Sequence, residues 1–304
     1  MEQNEIINHI QEKSGWKKLI GFLLIFGACF FIGNVILVVL AMAGGLTITE
    51  GLDIFSAISD PEMRPYIKTG IGLNHLIIFT GTALFFAYWL KRKNWKSYFD
   101  SNNTDFLLLI SFVLLLICAY PIIGVSASLF EGVEWASQMD ESSIDALMKM
   151  LEMDSVFDLI VNLIIVALLP AIGEELLFRG IIQKELLGKI QNHHVAIIIA
   201  SIIFSGIHLQ IQGFLPKFFI GLILGYAYYW TKSIWYPMIL HFINNGMQTM
   251  ILFFVGDDME AMQEEAIQPE KLHLIIGVVF SCFLCSFIIY NIRKQIDAKQ
   301  TDNV

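Results

Sequence analysis

Two adjacent glutamates, Glu174 and Glu175, lie within an apolar stretch (residues 161–182) whose other residues are typical of a membrane-spanning helix. A charge at the centre of a bilayer costs about 2.5–3.5 kcal/mol on insertion scales, and intramembrane carboxylates are therefore usually functional. Glu175 and Arg179 are four residues apart, on one helical face and in the favourable order for an ion pair. Glu174 projects about 100° away from Glu175. We therefore expect Glu174 to face a different neighbour and to accept a proton from water as a general base.

Two later apolar segments each carry a histidine with a partner on the same helical face. His208 follows Phe204 by four residues, and His241 precedes Asn245 by four residues. An imidazole and a carboxamide on one face can bind a metal or water, or donate hydrogen bonds to a developing oxyanion. Taken singly, these groups could also form a structural ion pair or polar clamps between membrane helices. Together, on three separate segments, they favour a site that activates water.

The composition indicates a membrane protein. Hydrophobic residues make up 56% of the 304 residues and charged residues only 15%, whereas soluble domains contain about 25% charged residues. The apolar residues fall in runs of roughly 17–25, the length that a helix needs to cross a bilayer. We therefore predict an all-α, polytopic transmembrane helical bundle in the cell membrane, with the lipid bilayer as a partner. The formal charge of −9 argues against a nucleic-acid partner.

The apolar runs and the basic residues together predict a topology of about eight spans with both termini in the cytoplasm. If the N-terminus is placed inside, 14 of the 19 lysines and arginines lie in inner segments and 5 in outer segments, as the positive-inside rule requires. The long loops, residues 44–69, 129–155 and 255–271, are rich in acidic residues. The predicted spans are residues 19–43, 70–90, 105–128, 156–183, 194–212, 214–231, 233–254 and 272–290.

The candidate residues can meet only if some of these helices tilt, break or begin deeper in the membrane than the simple spans indicate. His208 falls late in the fifth predicted span, whereas Glu174 lies past the middle of the fourth. Backbone groups that a break leaves without helical partners can be satisfied where they line a cavity. The candidate bending positions are Pro170, Gly173, Gly213 and Pro216.

Three sequence motifs resemble those of a known family. The segments EELLFR (174–179), FSGIH (204–208) and HFINN (241–245) are similar to the motifs EExxxR, FxxxH and HxxxN. These motifs belong to the CAAX protease and bacteriocin-processing family of intramembrane glutamic or metallo-endopeptidases, also called the Abi family. The resemblance covers residues 155–250. We therefore predict an N-terminal region with three transmembrane helices (1–154), a CAAX-protease-like catalytic core (155–254), and an acidic loop, last helix and cytoplasmic tail (255–304).

The resemblance implies a role for each motif residue. Glu174 and His208 would activate the hydrolytic water, and Glu175 and Arg179 would support that site. The second motif makes Phe204 a further supporting residue.

The third motif carries the remaining predicted roles. His241 and Asn245 would stabilise the oxyanion of the tetrahedral intermediate. The family is often described as metalloproteases, and a metal-free mechanism that depends on glutamate has also been argued. Glu174, His208 and His241 are ligand types that suit Zn²⁺, so a zinc cofactor is one expectation, although the chain contains no HExxH motif.

The predicted function is intramembrane proteolysis of a membrane-associated peptide or protein. Among the members of this family, eukaryotic proteins cleave prenylated CAAX substrates, and bacterial proteins act in bacteriocin self-immunity, peptide maturation and secretion. One alternative is a non-catalytic bacteriocin-immunity or membrane scaffold protein of the same fold, whose function would survive the loss of Glu174. A less favoured alternative is a proton-linked transporter, because intramembrane carboxylates and histidines also mark ion pathways.

Overall fold

Two compact units, Met1–Phe99 and Asp100–Val304, make up the structure. The computed structural model describes residues 2–47, 57–58, 60–130, 147–265 and 271–301. Parts of the predicted loops 44–69, 129–155 and 255–271 and the end of the predicted cytoplasmic tail therefore lie outside the described residues. The division of the chain into three regions, as predicted from the sequence, stays a prediction.

The first unit contains two long helices. Helix α1 spans Glu2–Ala43, and helix α2 spans Arg64–Tyr98. Helix α2 includes a π-helical turn at Leu76–Gly81 and ends in a 3-10 segment, Arg92–Tyr98. Aromatic side chains pack the two helices together, among them Phe22 and Phe86, whose ring centroids are 5.5 Å apart.

Among the residues that the structure describes, the second unit contains six helices of 14 residues or more. Their apolar core joins α3 to α6, α7 and α8 through buried side chains, among them Phe112 and Leu116 on α3 and Leu224 on α6. The helices are α3 (Phe106–Ser128), α4 (Val156–Leu187), α5 (His193–Gly206), α6 (Phe214–Thr231), α7 (Trp235–Glu265) and α8 (Lys271–Thr301).

The all-α prediction is confirmed, and each of the eight predicted spans coincides with one of these helices. Among the described residues, the helices long and apolar enough to cross a membrane are α1, α2, α3, α4, α7 and α8. Helix α5 has 14 residues, and at about 1.5 Å per residue it is about 21 Å long, shorter than a hydrocarbon layer of about 30 Å. The count of eight crossings and the cytoplasmic location of the termini stay predictions.

Several helices extend beyond the predicted spans, and two of the differing ends change a predicted span or loop near the later motifs. Helix α5 ends at Gly206 and not at residue 212, and Leu209, three residues later, has a φ of 52° that a right-handed helix does not contain. Helix α7 continues to Glu265, through residues predicted to be an acidic loop. Its last residues, DDMEAMQEE, include strong helix formers such as Ala, Met, Glu and Gln, so helical propensity outweighs their charge.

The exposed surface of α8 is apolar. Val279, Phe283 and Phe287 are exposed by 63%, 68% and 59% of their surface. Soluble proteins rarely expose large contiguous apolar patches, so these side chains indicate contact with lipid. Together with the six apolar helices, this surface identifies the chain as a multi-pass membrane protein.

Helix α4 is interrupted by wider turns on both sides of the two glutamates. Its π-helical segments are Leu163–Leu168 and Phe178–Gln183, with the α-helical segment Leu169–Leu177 between them. Such π turns inside α-helices occur frequently at functional sites. The helix is continuous through this region, and its period changes on each side of the segment that contains Pro170 and Gly173, the predicted bending positions.

Two glycines allow α5 and α6 to approach each other closely. A Cβ atom on Gly221 would lie 3.1 Å from Ser201 Cβ, and one on Gly225 would lie 2.8 Å from Ile197 Cγ2. Small residues spaced by four are a common means of close helix packing in membranes. The GLILG segment (221–225) of α6 therefore allows close contact with α5, the helix in which the second motif begins.

We expect Gly225→Ala to destabilise the protein by about 1–3 kcal/mol, as overpacking does in well-packed cores. The new methyl group would press on Ile197 Cγ2 and, at 2.9 Å, on Gln183 Oε1. Gly124→Ala on α3 is the matched control, because its Cβ would meet no atom within 4 Å, and alanine is a better helix former than glycine. Thermal unfolding in detergent measures both variants. Equal unfolding temperatures for the two would contradict the proposed close packing.

Candidate active site

A buried ion pair forms the centre of the site. Arg179 Nη1 donates to Glu175 Oε1 at 3.1 Å, and the two side chains are 1% and 0% exposed. The pairing predicted from their spacing is confirmed. His241, on α7, donates from Nδ1 to the same Glu175 oxygen at 2.8 Å. Glu175 thus accepts hydrogen bonds both from Arg179 on its own helix and from His241 of the third motif.

Two further bonds attach α4 to the backbone of α6. Arg179 Nη2 donates to the carbonyl of Gly221 at 3.1 Å, and Gln183 Nε2 donates to the carbonyl of Gly225 at 2.8 Å. Each carbonyl oxygen has a second lone pair in addition to the one used in the helix. Because Gly225 has no side chain, the carboxamide of the buried Gln183 can approach its carbonyl; a Cβ atom there would lie 2.9 Å from Gln183 Oε1. Gln183 and the glycine pair are site-supporting residues that the motif analysis missed, although their matching spacing of four is visible in the sequence.

The third motif is bound to α4 through a carbonyl that a proline leaves available. Pro170 has no N–H, so the carbonyl of Val166, four residues earlier, lacks its usual helical donor. Asn245 Nδ2 donates to that carbonyl at 2.9 Å and lies 3.3 Å from His241 Nε2. Both N–H groups of the carboxamide therefore have partners. A role of Asn245 in binding an oxyanion requires its carboxamide to rotate away from these partners.

Phe204 is the aromatic contact that joins the motifs. Its ring lies 4.5 Å from the Arg179 guanidinium carbon, 5.4 Å from the His208 ring and 5.9 Å from the His241 ring. It also makes an edge contact with Phe178 at 5.2 Å. A guanidinium over an aromatic face is stabilised by the ring quadrupole. Phe204, which the sequence predicted to be a supporting residue, thus contacts both histidines and the buried arginine.

His208 lies in the loop after α5 and not within a helix. Its Nδ1–H donates to the carbonyl of Phe204 at 2.9 Å, so Nε2 of the neutral ring can accept a proton. The Ser205 hydroxyl bonds to the carbonyl of Phe214 and closes the loop. Leu209, next to His208, has a φ of 52°, a conformation that non-glycine residues seldom adopt and that occurs at functional sites. The loop therefore places His208 in the site without a bend in α5.

Glu174 is buried, at 6% exposure, and acts electrostatically on both Arg179 and His208. His241 also acts on His208. The structure therefore brings all the predicted site residues of α4, α7 and the loop after α5 into one cluster. Their catalytic roles stay predictions.

A chain of polar side chains continues from this cluster to α3. Asn244 Nδ2 donates to Asn245 Oδ1 at 2.9 Å, and the hydroxyl of Tyr120 donates to Asn244 Oδ1 at 3.0 Å. Tyr120 lies in α3, outside the segment that carries the three motifs. Sequence analysis did not identify it, because a tyrosine in an apolar span has no signal that separates a site residue from an interfacial one.

The side-chain arrangement does not provide a set of zinc ligands. In the described part of the chain, no three His, Cys, Asp or Glu side chains are placed to hold one metal ion. His241 has Nδ1 bonded to Glu175 and Nε2 next to Asn245, so neither nitrogen is directed to a site shared with Glu174 and His208. The expected zinc site therefore does not fit the side chains as they are placed in the described part of the chain.

Comparison with known proteins places the site in a family domain. Residues 156–247 match the model of the Type II CAAX prenyl endopeptidase Rce1-like family. This range contains every residue of the three motifs. No solved structure matches the chain.

Three bacterial proteins are similar to part of the chain. The membrane-embedded CAAX protease MroQ of Staphylococcus aureus (strain USA300) is 34% identical over 107 residues, 33% of this chain and 43% of the relative. The putative membrane peptidase YdiL of Bacillus subtilis (strain 168) is 30% identical over 118 residues, 39% of this chain and 46% of the relative. The uncharacterized protein YpbD of the same organism is 34% identical over 86 residues, 27% of this chain and 41% of the relative.

Each match thus spans less than half of the relative's length. The three motifs, the matched domain model and the relatives described as a CAAX protease and a membrane peptidase lead to the same assignment. Residues 156–247 of the chain therefore form an Rce1-like domain of the CAAX protease and bacteriocin-processing family.

Proposed function

We propose that the chain is an integral-membrane endopeptidase that hydrolyses a peptide bond of a membrane-associated peptide or protein. The observation that carries the proposal is the buried cluster in which Glu175 Oε1 accepts from both Arg179 and His241. A membrane protein keeps such a costly group of charges where function requires it. Substrates of prenylated or bacteriocin type are the first to test, because the matched domain and relative are described as CAAX proteases.

In the proposed reaction, a water molecule lies between Glu174 and His208. One of these groups takes a proton as the water oxygen attacks the carbonyl carbon of the scissile bond. The proton then passes to the nitrogen of the leaving amine as the C–N bond breaks. One water is consumed, and the products are a carboxylic acid and an amine. The buried position of Glu174 and the loop that holds His208 support this assignment.

The supporting groups have defined tasks in this proposal. Arg179 and Glu175 orient the His241 ring, and rotation of the Asn245 carboxamide would free its N–H groups for the oxyanion. Water has binding partners here, because Glu175 Oε2 and Arg179 Nε are buried and have no hydrogen-bond partner among the described residues. Buried polar groups almost always bind protein or ordered water. Hydrolysis inside a membrane protein needs such access for water.

Cleavage of a membrane-peptide library by the purified protein tests the proposal. The library includes prenylated C-terminal peptides and bacteriocin-type peptides, and mass spectrometry identifies the new termini. Cleavage is measured both in liposomes and in detergent, so that a requirement for lipid can be distinguished from a lack of activity. Cleavage at defined bonds is the expected result. No cleavage by a folded protein, together with an intact biological phenotype, would contradict the peptidase proposal and favour the scaffold or immunity alternative.

We expect this cleavage to continue after chelation. Among the described residues, no three side chains of the types that bind zinc are placed around one point. Treatment with EDTA followed by buffer exchange should therefore leave the rate of peptide cleavage unchanged. Metal analysis of the same sample is the control for complete removal. A loss of activity that added Zn²⁺ restores would show that the ligands rearrange to bind a metal.

A further inference from the structure

A group of basic and aromatic side chains lies at one end of α5 and α6. The ring of His193 stacks on the ring of Tyr229 at 4.5 Å, and Lys232 Nζ lies 4.2 Å from the centroid of the same tyrosine. The rings of His193 and His194 are 4.0 Å apart. Two basic side chains thus contact the ring of Tyr229, and a third, His194, lies against one of them.

The group continues from α5 across α6 to α8. His194 Nδ1 and the hydroxyl of Tyr226 form a hydrogen bond of 2.6 Å. The Tyr226 ring lies 5.0 Å from the ring of Trp230, and the guanidinium carbon of Arg293 lies 5.6 Å from the same indole. An unbroken series of contacts therefore joins Lys232 to Arg293. The basic aromatic cluster consists of His193, His194, Tyr226, Tyr229, Trp230, Lys232 and Arg293.

The cluster lies where helices leave the apolar layer. His193 is the first residue of α5, and Lys232 is in the short connection between α6 and α7. Arg293 follows the apolar part of α8. Tyrosine and tryptophan are enriched at the membrane–water interface. Lys232 and Arg293 are both exposed and both belong to the segments predicted to be cytoplasmic.

The basic groups of the cluster repel one another. The pKa of His193 lies below its ordinary value because of burial, with His194, Arg293 and Lys232 as further causes. Asp100 acts on Lys232, but that carboxylate also accepts hydrogen bonds from side chains of α4 and α6. An anion bound within the cluster would offset this repulsion.

We propose that the basic aromatic cluster binds the phosphate of an anionic phospholipid headgroup. Arginine and lysine both bind phosphate, and basic pockets between membrane helices on the cytoplasmic side are suited to anionic headgroups. The rings of Tyr226, Tyr229 and Trp230 offer an apolar surface for the glycerol and upper acyl chain. A phospholipid uses both parts of the cluster, whereas a free phosphate uses only the charges. This site is separate from the proposed peptidase site and does not depend on it.

Native mass spectrometry in detergent, with added phosphatidylglycerol or phosphatidylcholine, tests the proposal. We expect the wild type to bind phosphatidylglycerol more tightly than phosphatidylcholine. The variant Lys232→Gln/Arg293→Gln should bind phosphatidylglycerol about 25-fold more weakly, because each basic side chain near an anionic surface contributes a factor of about five. The matched control is Lys189→Gln/Lys294→Gln, which removes two exposed charges on the same predicted side but outside the cluster. It should bind like the wild type.

The charge-preserving variant Lys232→Arg/Arg293→Lys should retain the lipid, and monodispersity with thermal unfolding establishes that each variant is folded. If the double glutamine variant does not fold, each single substitution should weaken binding about fivefold. Equal affinity of the wild type for phosphatidylcholine and phosphatidylglycerol would overturn the proposal, as would wild-type affinity for phosphatidylglycerol in the folded glutamine variants. Displacement of the lipid by an equal concentration of inorganic phosphate would assign the cluster to a soluble anion and overturn it as well.

Discussion

Glu174→Gln is expected to reduce peptide cleavage by about 10²–10⁴-fold, the usual contribution of a general base. Glutamine has the size and shape of glutamate, so the side chain, which is 6% exposed, can occupy the same space. It cannot take a proton from water. His208, with Nδ1 bonded to the Phe204 carbonyl, would then lack the carboxylate that acts on it. Initial rates with a substrate that the wild type cleaves measure the effect.

The control for this variant is Glu185→Gln, which changes the same side chain near the end of the same helix. It should leave the rate unchanged. Thermal unfolding of both variants distinguishes a lost proton acceptor from a lost fold. A folded Glu174→Gln protein that cleaves at the wild-type rate would show that Glu174 is not the general base.

Arg179→Met is expected to lower the free energy of unfolding by about 3–5 kcal/mol, as the removal of one partner from a buried ion pair does. Methionine keeps part of the apolar volume but leaves the 0% exposed Glu175 without its cation. It also removes the bond to the Gly221 carbonyl and the guanidinium contact with Phe204. Denaturation in detergent, followed by helical signal, measures the loss.

Lys184→Met is the matched control, because Lys184 lies on the same helix and forms an ion pair with Asp100. These two side chains are 31% and 38% exposed. Exposed pairs contribute about 0–1 kcal/mol. The double variant Glu175→Gln/Arg179→Met should lose less free energy of unfolding than the two single variants lose together, because neither buried charge of the pair is left without its partner. Equal effects of Arg179→Met and Lys184→Met would contradict the structural role of the buried pair.

The differences from the predicted spans show where sequence patterns fail. The apolar residues Ile207, Leu209 and Ile211 extend the hydrophobic run of the fifth span, yet the helix ends at Gly206. Apolar composition indicates that a segment avoids water, and it does not distinguish a helix from a loop packed inside the protein. The loop is held by a bond between Ser205 and Phe214, which no periodicity predicts.

The amino-acid sequence by itself determined the local relationships. The period of the α-helix places Glu175 beside Arg179, and His241 beside Asn245, whatever the rest of the chain does. Apolar runs likewise determined the positions of the eight helices, because burial of apolar side chains in lipid needs no specific partner.

Only the tertiary structure decided how these local pairs meet. The bond from His241 to Glu175 joins residues 66 positions apart in the chain, and the bond from Arg179 reaches a backbone carbonyl of another helix. Carbonyl acceptors have no side-chain signal, and the close approach of α5 to α6 depends on the glycines of α6. Contacts between helices depend on the close fit of whole surfaces, so the spacing of residues within one helix cannot determine them.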